Sequence, residues 1–108
     1  MASDEGDAHR RLQELRRRIS EVDDRLIQVI GERRAIAVEI GRLKEGLGLP
    51  VMDPGREARV VRDAAARARA LGVDEEMTRD VIWRIISSAR STQQRGDEAP
   101  SGEDAAGG

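Results

Sequence analysis

The 108-residue sequence contains no cysteine, so neither a disulfide framework nor a thiolate metal site can form, and a reducing compartment suits it. Its single histidine, His9, lies in a polar leader, where a lone imidazole is a solvated side chain rather than a ligand or a base. These absences remove a cysteine nucleophile, a histidine general base and a zinc cluster from the chemistry available. No apolar run approaches the roughly 20 residues of a membrane span, and no signal-peptide h-region begins the chain. A soluble, cytoplasmic protein with no membrane partner is the expectation. The net charge is −2 and the arginines are interleaved with acids, which argues against nucleic acid as a partner. Lysine is almost absent as well: Lys44 is the only one, and the other basic residues are nearly all arginine.

What is present is a long proline-free run from about Ala8 to Glu45. Its apolar residues fall at Leu12, Leu15, Ile19, Val22, Leu26, Val29, Ile36, Ile40 and Leu43, stepping by three and four. That is a heptad seam, which buries one stripe of a long helix against other helices. The step between Val29 and Ile36 is occupied by Arg33, with Arg16, Asp23 and Lys44 beside the seam. An arginine in an apolar stripe costs several kcal/mol unless paired, because its charge cannot be removed at any accessible pH. Either Asp23, Glu32 or Glu57 pairs with Arg33, or it snorkels to solvent, or Arg33, Arg16 and Lys44 line a pocket for an anionic ligand. A helix over that run spans roughly 55 Å at about 1.5 Å per residue. The remaining residues of so small a domain cannot cover it, so the pattern predicts an intertwined homodimer.

Residues 1–7 read as a flexible polar leader, with Asp7 as N-cap of the long helix and Ser3 or Asp4 as alternatives. Gly46, Gly48 and Pro50 stop that helix. Asp53 then caps a second helix, Pro54 to Leu71, that buries Val60, Val61, Ala64, Ala65, Ala68 and Leu71. Gly72 ends it, and Asp74 caps a third helix from Glu75 to about Gln94. There the buried stripe is Met77, Val81, Ile82, Ile85, Ile86 and Ala89, with Trp83 at its edge. From about Arg95, through residues 95–108, Gly, Asp, Glu, Pro and Ser predict a disordered tail. The fold class is all-α, three helices with the first far longer than the others, and the domain spans residues 8–94.

Fixed positive charges, with Glu57 and Gln93 as polar partners, remain as the chemical inventory. Such a set binds a polyanion and stabilises charge that develops in a transition state, with no proton transfer and no covalent intermediate. A unimolecular rearrangement of a dicarboxylate suits it. The stretch Leu15-Arg16-Arg17-Arg18-Ile19-Ser20-Glu21-Val22-Asp23, then Glu32-Arg33-Arg34, Ala37-Val38-Glu39-Ile40-Gly41 and Lys44, resembles the first helix of the all-α (type II) chorismate mutases. Pro50-Val51, Asp53 and Arg56-Glu57 resemble the start of that family's second helix, and Thr92-Gln93-Gln94 the end of its third. The resemblance runs from about Leu12 to Gln94 without a gap.

What the resemblance implies is a domain-swapped homodimer that converts chorismate to prephenate by a Claisen rearrangement, with no cofactor. By residue match, Arg33 and Arg16 would clamp the substrate carboxylates, with Arg16 reaching in from the partner chain and Arg56 assisting. Lys44 and Gln93 would hydrogen-bond the ether oxygen, and Glu57 with the Asp53 region would hold the C4 hydroxyl. One position departs from the pattern: Ala89 stands where many members carry a serine, and Ser88 points about 100° away. Relatives that rearrange 4-amino-4-deoxychorismate, or eliminate pyruvate from isochorismate, are the alternatives within this resemblance. Outside enzymology the alternative is a helical dimerisation module whose arginines pair only with protein carboxylates. A shikimate-pathway enzyme remains open as a further partner.

Overall fold

The computed structural model describes the backbone of residues 2–98 and the side chains of residues 4–90. Helix α1 spans Ala2–Gly46, α2 Pro54–Leu71 and α3 Glu75–Glu98, with no strand among the described residues. The all-helical, three-helix expectation holds, and α1 at 45 residues is the longest element. No helix among the described residues is long and apolar enough to cross a membrane. The chain divides into two compact units, one ending at Arg33 and the other beginning at Arg34.

In the first unit, α1 begins at Ala2 rather than Ala8, so residues 2–7 are helical and Asp7 lies inside the helix instead of capping it. The physical reason is local. No proline interrupts residues 2–7, and Asp4 and Glu5 in the first turn complement the positive end of the helix dipole. Asp7 pairs with Arg10 one turn on, Arg11 with Glu14 at 3.1 Å and Arg17 with Glu21 at 3.6 Å. Side-chain pairs at this spacing support a helix from its surface. The seam residues Leu12, Leu15, Ile19, Val22, Leu26 and Val29 are all exposed in the single chain, Ile19 at 63%.

The second unit is built on local stop and start signals. Gly48 takes φ of 71°, and the Leu49 amide donates to the Lys44 carbonyl at 2.8 Å, closing the end of α1. The Asp53 side chain accepts from the Arg56 amide at 3.1 Å with Pro54 opening α2, as the sequence predicts. Gly72 closes α2 in the left-handed region at φ 73°, a conformation only glycine adopts cheaply. Asp74 caps α3 by accepting from the Met77 amide at 2.8 Å. The last helix continues to Glu98, past the expected end at Gln94, because Gly96 alone costs only about 1 kcal/mol in a helix and no proline intervenes before Pro100. Residues 95–98 of the expected tail are therefore helical, and the rest of it, 99–108, falls outside the described residues.

Helices α2 and α3 pack on one another through small residues. Ala65, Ala68, Ile86 and Ala89 are buried, flanked by the half-buried Val60, Val61, Ala64, Ile82 and Ile85. Alanines at the contact let the two backbones approach closely. Leu71, Met77 and Val81, expected in the buried stripes, are exposed. A pair of helices covers only the strip between them, and these three fall beside it.

At the turn joining the two helices, Arg69 holds Glu75 with a two-pronged contact, Nε to Oε1 at 2.6 Å and Nη2 to Oε2 at 3.1 Å. The hydrogen bonds from Arg69 lower the Glu75 carboxyl below its ordinary range, against a smaller opposing effect of desolvation. A carboxylate whose folded pKa is depressed adds stability that is present above its unfolded pKa and fades as pH falls through the folded value. Melting temperature should therefore fall less steeply on acidification in Glu75→Gln than in the wild type. Parallel melts between neutral pH and pH 3 measure this, and identical slopes would show that the pair contributes nothing.

Candidate active site

The site residues expected from the sequence distribute over both units. In the first, Arg16 is exposed on α1, whereas Arg33 is half-buried at the gap in the apolar seam. Neither has a hydrogen-bond or ion-pair partner among the described residues, so within its own unit Arg33 is paired with neither Asp23 nor Glu32. Both arginines lie on one helix, separated by about 25 Å at about 1.5 Å per residue.

In the second unit, Lys44 occupies the last turn of α1 and is half-buried. Its Nζ donates to the Val51 carbonyl at 3.4 Å, at the long limit for such a bond. An ammonium has three donors, so this weak contact aims the side chain at the loop before α2 while leaving two donors uncommitted. The same loop delivers Asp53 to the N-terminus of α2, where its carboxylate is engaged as the cap. Arg56 is exposed in the first turn, its amide bound by Asp53. Glu57 follows, its amide donating to the Asp53 carbonyl at 3.0 Å. Helix α2 thus begins with an acid, a base and an acid fixed by one cap.

Glu57 does not stand alone. Its Oε1 accepts from Nη2 of Arg90, reaching across from α3. The Arg90 and Glu57 side chains are only 26% and 18% exposed. Arg90 also lies over the Trp83 ring, its Cζ 5.9 Å from the ring centroid, within range of a cation–π contact. Trp83 itself is at an edge, 46% exposed, as expected. The sequence reading missed Arg90, yet a signal exists. Ile82, Ile86 and Arg90 step by four along the inner stripe of α3, so Arg90 interrupts that stripe as Arg33 interrupts the seam of α1. Ala89 beside it is buried in the α2–α3 contact. Gln93 lies on the α3 backbone, and its side chain falls outside the described residues.

No group of three or more His, Cys, Asp or Glu among the described residues is arranged to hold a metal ion. The donors present are guanidinium and ammonium groups, which suit binding of carboxylates and stabilisation of an oxygen that gains negative charge.

Comparison with known proteins decides the family. The sequence model of chorismate mutase type II matches residues 15–94. The chain belongs to the chorismate mutase type II family. Arg16, Arg33, Lys44, Asp53, Arg56, Glu57 and Gln93 all lie inside the matched range. A chorismate mutase of Methanocaldococcus jannaschii is 27% identical over 85 residues, covering 79% of this chain and 86% of the relative. A 4-amino-4-deoxychorismate mutase of Streptomyces venezuelae is 40% identical over 77 residues, covering 70% of this chain and 74% of the relative. The T-protein of Enterobacter agglomerans is 32% identical over 79 residues, and there the chain spans only 21% of the relative's length.

Proposed function

We propose that this chain is a chorismate mutase, an isomerase that rearranges chorismate to prephenate in phenylalanine and tyrosine biosynthesis, with residues 8–94 as its catalytic domain. The observation that carries the reading is Arg33, a half-buried charge set in an apolar seam without a partner among the described residues. A guanidinium held that way is costly until an anion meets it, and a substrate carboxylate is such an anion. The reaction breaks a C–O bond and forms a C–C bond within one bound molecule, so it asks for positioning and charge stabilisation only. Arg33 and Arg16 clamp the carboxylates with help from Arg56. Lys44 and Gln93 donate to the ether oxygen as it gains charge, and Glu57 with the Asp53 region receives the C4 hydroxyl. No metal or cofactor enters this scheme.

The reading includes a domain-swapped homodimer in the cytoplasm. Arg16 and Arg33 of one chain, about 25 Å apart along a helix, cannot grip one small dicarboxylate. Arg16 supplied by a second copy removes that difficulty. The exposed seam from Leu12 to Val29 offers the apolar face on which a second copy would pack.

A second reading, rearrangement of 4-amino-4-deoxychorismate, is favoured by the name of the 40% identical relative. Incubating the purified protein separately with chorismate, 4-amino-4-deoxychorismate and isochorismate, with product identification, tests both. Fastest loss of chorismate with formation of prephenate is the expected result. Preference for the amino compound would select the second reading, and pyruvate released from isochorismate would select a lyase. Inertness toward all three would overturn the enzyme assignment in favour of a helical dimerisation module.

A further inference from the structure

The names of the relatives divide between a hydroxyl and an amine at C4 of the substrate, and Glu57 by itself does not discriminate between them. A free carboxylate accepts from a hydroxyl and attracts an ammonium more strongly still. Glu57 is not free, because Arg90 holds it across the α2–α3 interface. Arg90 is itself fixed, with Trp83 beneath its guanidinium and Glu57 at its tip. Its Nε is buried with no hydrogen-bond partner, and no second carboxylate pairs with it among the described residues. One arginine charge is thus matched to one carboxylate charge in a largely covered location.

We infer that Arg90 is a specificity-determining residue, which by pairing with Glu57 adapts the C4 end of the site to a neutral hydroxyl and against an ammonium. The inference rests on the proposed role of Glu57 toward C4. The chemistry follows from the pair. Oε1 of Glu57 is engaged by Arg90, and the lone pairs of Oε2 remain to accept from a hydroxyl. An ammonium would bring a full positive charge against a carboxylate already neutralised, within a few ångströms of a guanidinium that cannot lose its proton. Like charges at that separation in a partly desolvated site repel, and the attraction that Glu57 alone would offer is cancelled. Arg90 acts through Glu57, so it is a positioning residue.

The test compares kcat/KM for chorismate and for 4-amino-4-deoxychorismate in the wild type and in Arg90→Met, Arg90→Gln and Arg90→Lys. The wild type should prefer chorismate. Met, which removes the charge at similar length, should shift the ratio of the two substrates toward the amino compound by about tenfold or more. Gln should shift it the same way should the Met variant fold poorly, and Lys should restore most of the wild-type ratio. A merely structural role lowers both activities together, and an unchanged ratio in Met and Gln would overturn the inference. Preference of the wild type for the amino compound, with Arg90 intact, would overturn it while leaving a mutase on this fold. Absence of turnover on either substrate would remove the proposed function and this inference with it.

Discussion

Lys44→Ala should lower kcat for chorismate by about 10²–10³-fold, the usual effect of losing one donor aimed at an oxygen that gains charge in the transition state. The fold should hardly register the change. Lys44 has two structural roles on view: a bond to the Val51 carbonyl at 3.4 Å, and a positive charge in the last turn of α1. The first is long and the second is worth about 0.3–1 kcal/mol. Their joint loss shifts the melting temperature by a few degrees at most. A lysine kept only as a helix-end charge predicts the same small shift in melting but undiminished turnover. Circular dichroism melts beside steady-state kinetics on one preparation separate the two.

Arg33→Ala carries the second large effect. In the proposed site this guanidinium meets a substrate carboxylate out of water, and its removal leaves that anion unpaired, at about 3–5 kcal/mol. This converts to roughly 10²–10⁴-fold in kcat/KM at 1.36 kcal/mol per decade. Stability should stay level or rise, because the arginine occupies an apolar seam without a partner among the described residues. The proposed dimer should persist, since the seam gains apolar continuity between Val29 and Ile36. Turnover retained after this substitution would return Arg33 to a purely structural part. Sedimentation or size-exclusion analysis verifies that activity, and not assembly, has been lost.

These two residues were legible from the sequence for different reasons. Arg33 stands out because a heptad seam makes every polar intruder visible, and Lys44 because it is the only lysine. The limits of α2 were equally plain, since Asp53-Pro54 and Gly72 carry their start and stop in their own covalent chemistry. The N-terminal limit of α1 was not. Nothing in residues 2–7 forbids a helix, and their polarity reads as a leader unless the dipole and the Asp7–Arg10 pair are weighed. The Arg90–Glu57 pair was hidden by distance along the chain. It depends on how α3 lies against α2, set by Ala65, Ala68, Ile86 and Ala89, and no local pattern encodes that register. Leu71, Met77 and Val81 are exposed in the single chain for a related reason. Helical spacing identifies an apolar face without saying how wide a strip the partner helix covers.

The proposed cationic site rearranges chorismate and is completed by Arg16 from a second copy. Mixing two separately inactive variants, Arg16→Ala and Lys44→Ala, after subunit exchange tests that claim most directly. In a twofold dimer each mixed pair rebuilds one intact site and one doubly defective site. Random exchange at equal concentrations should therefore restore about one quarter of the wild-type rate. No recovery, in a mixture shown to have exchanged subunits, would contradict a site shared between two chains.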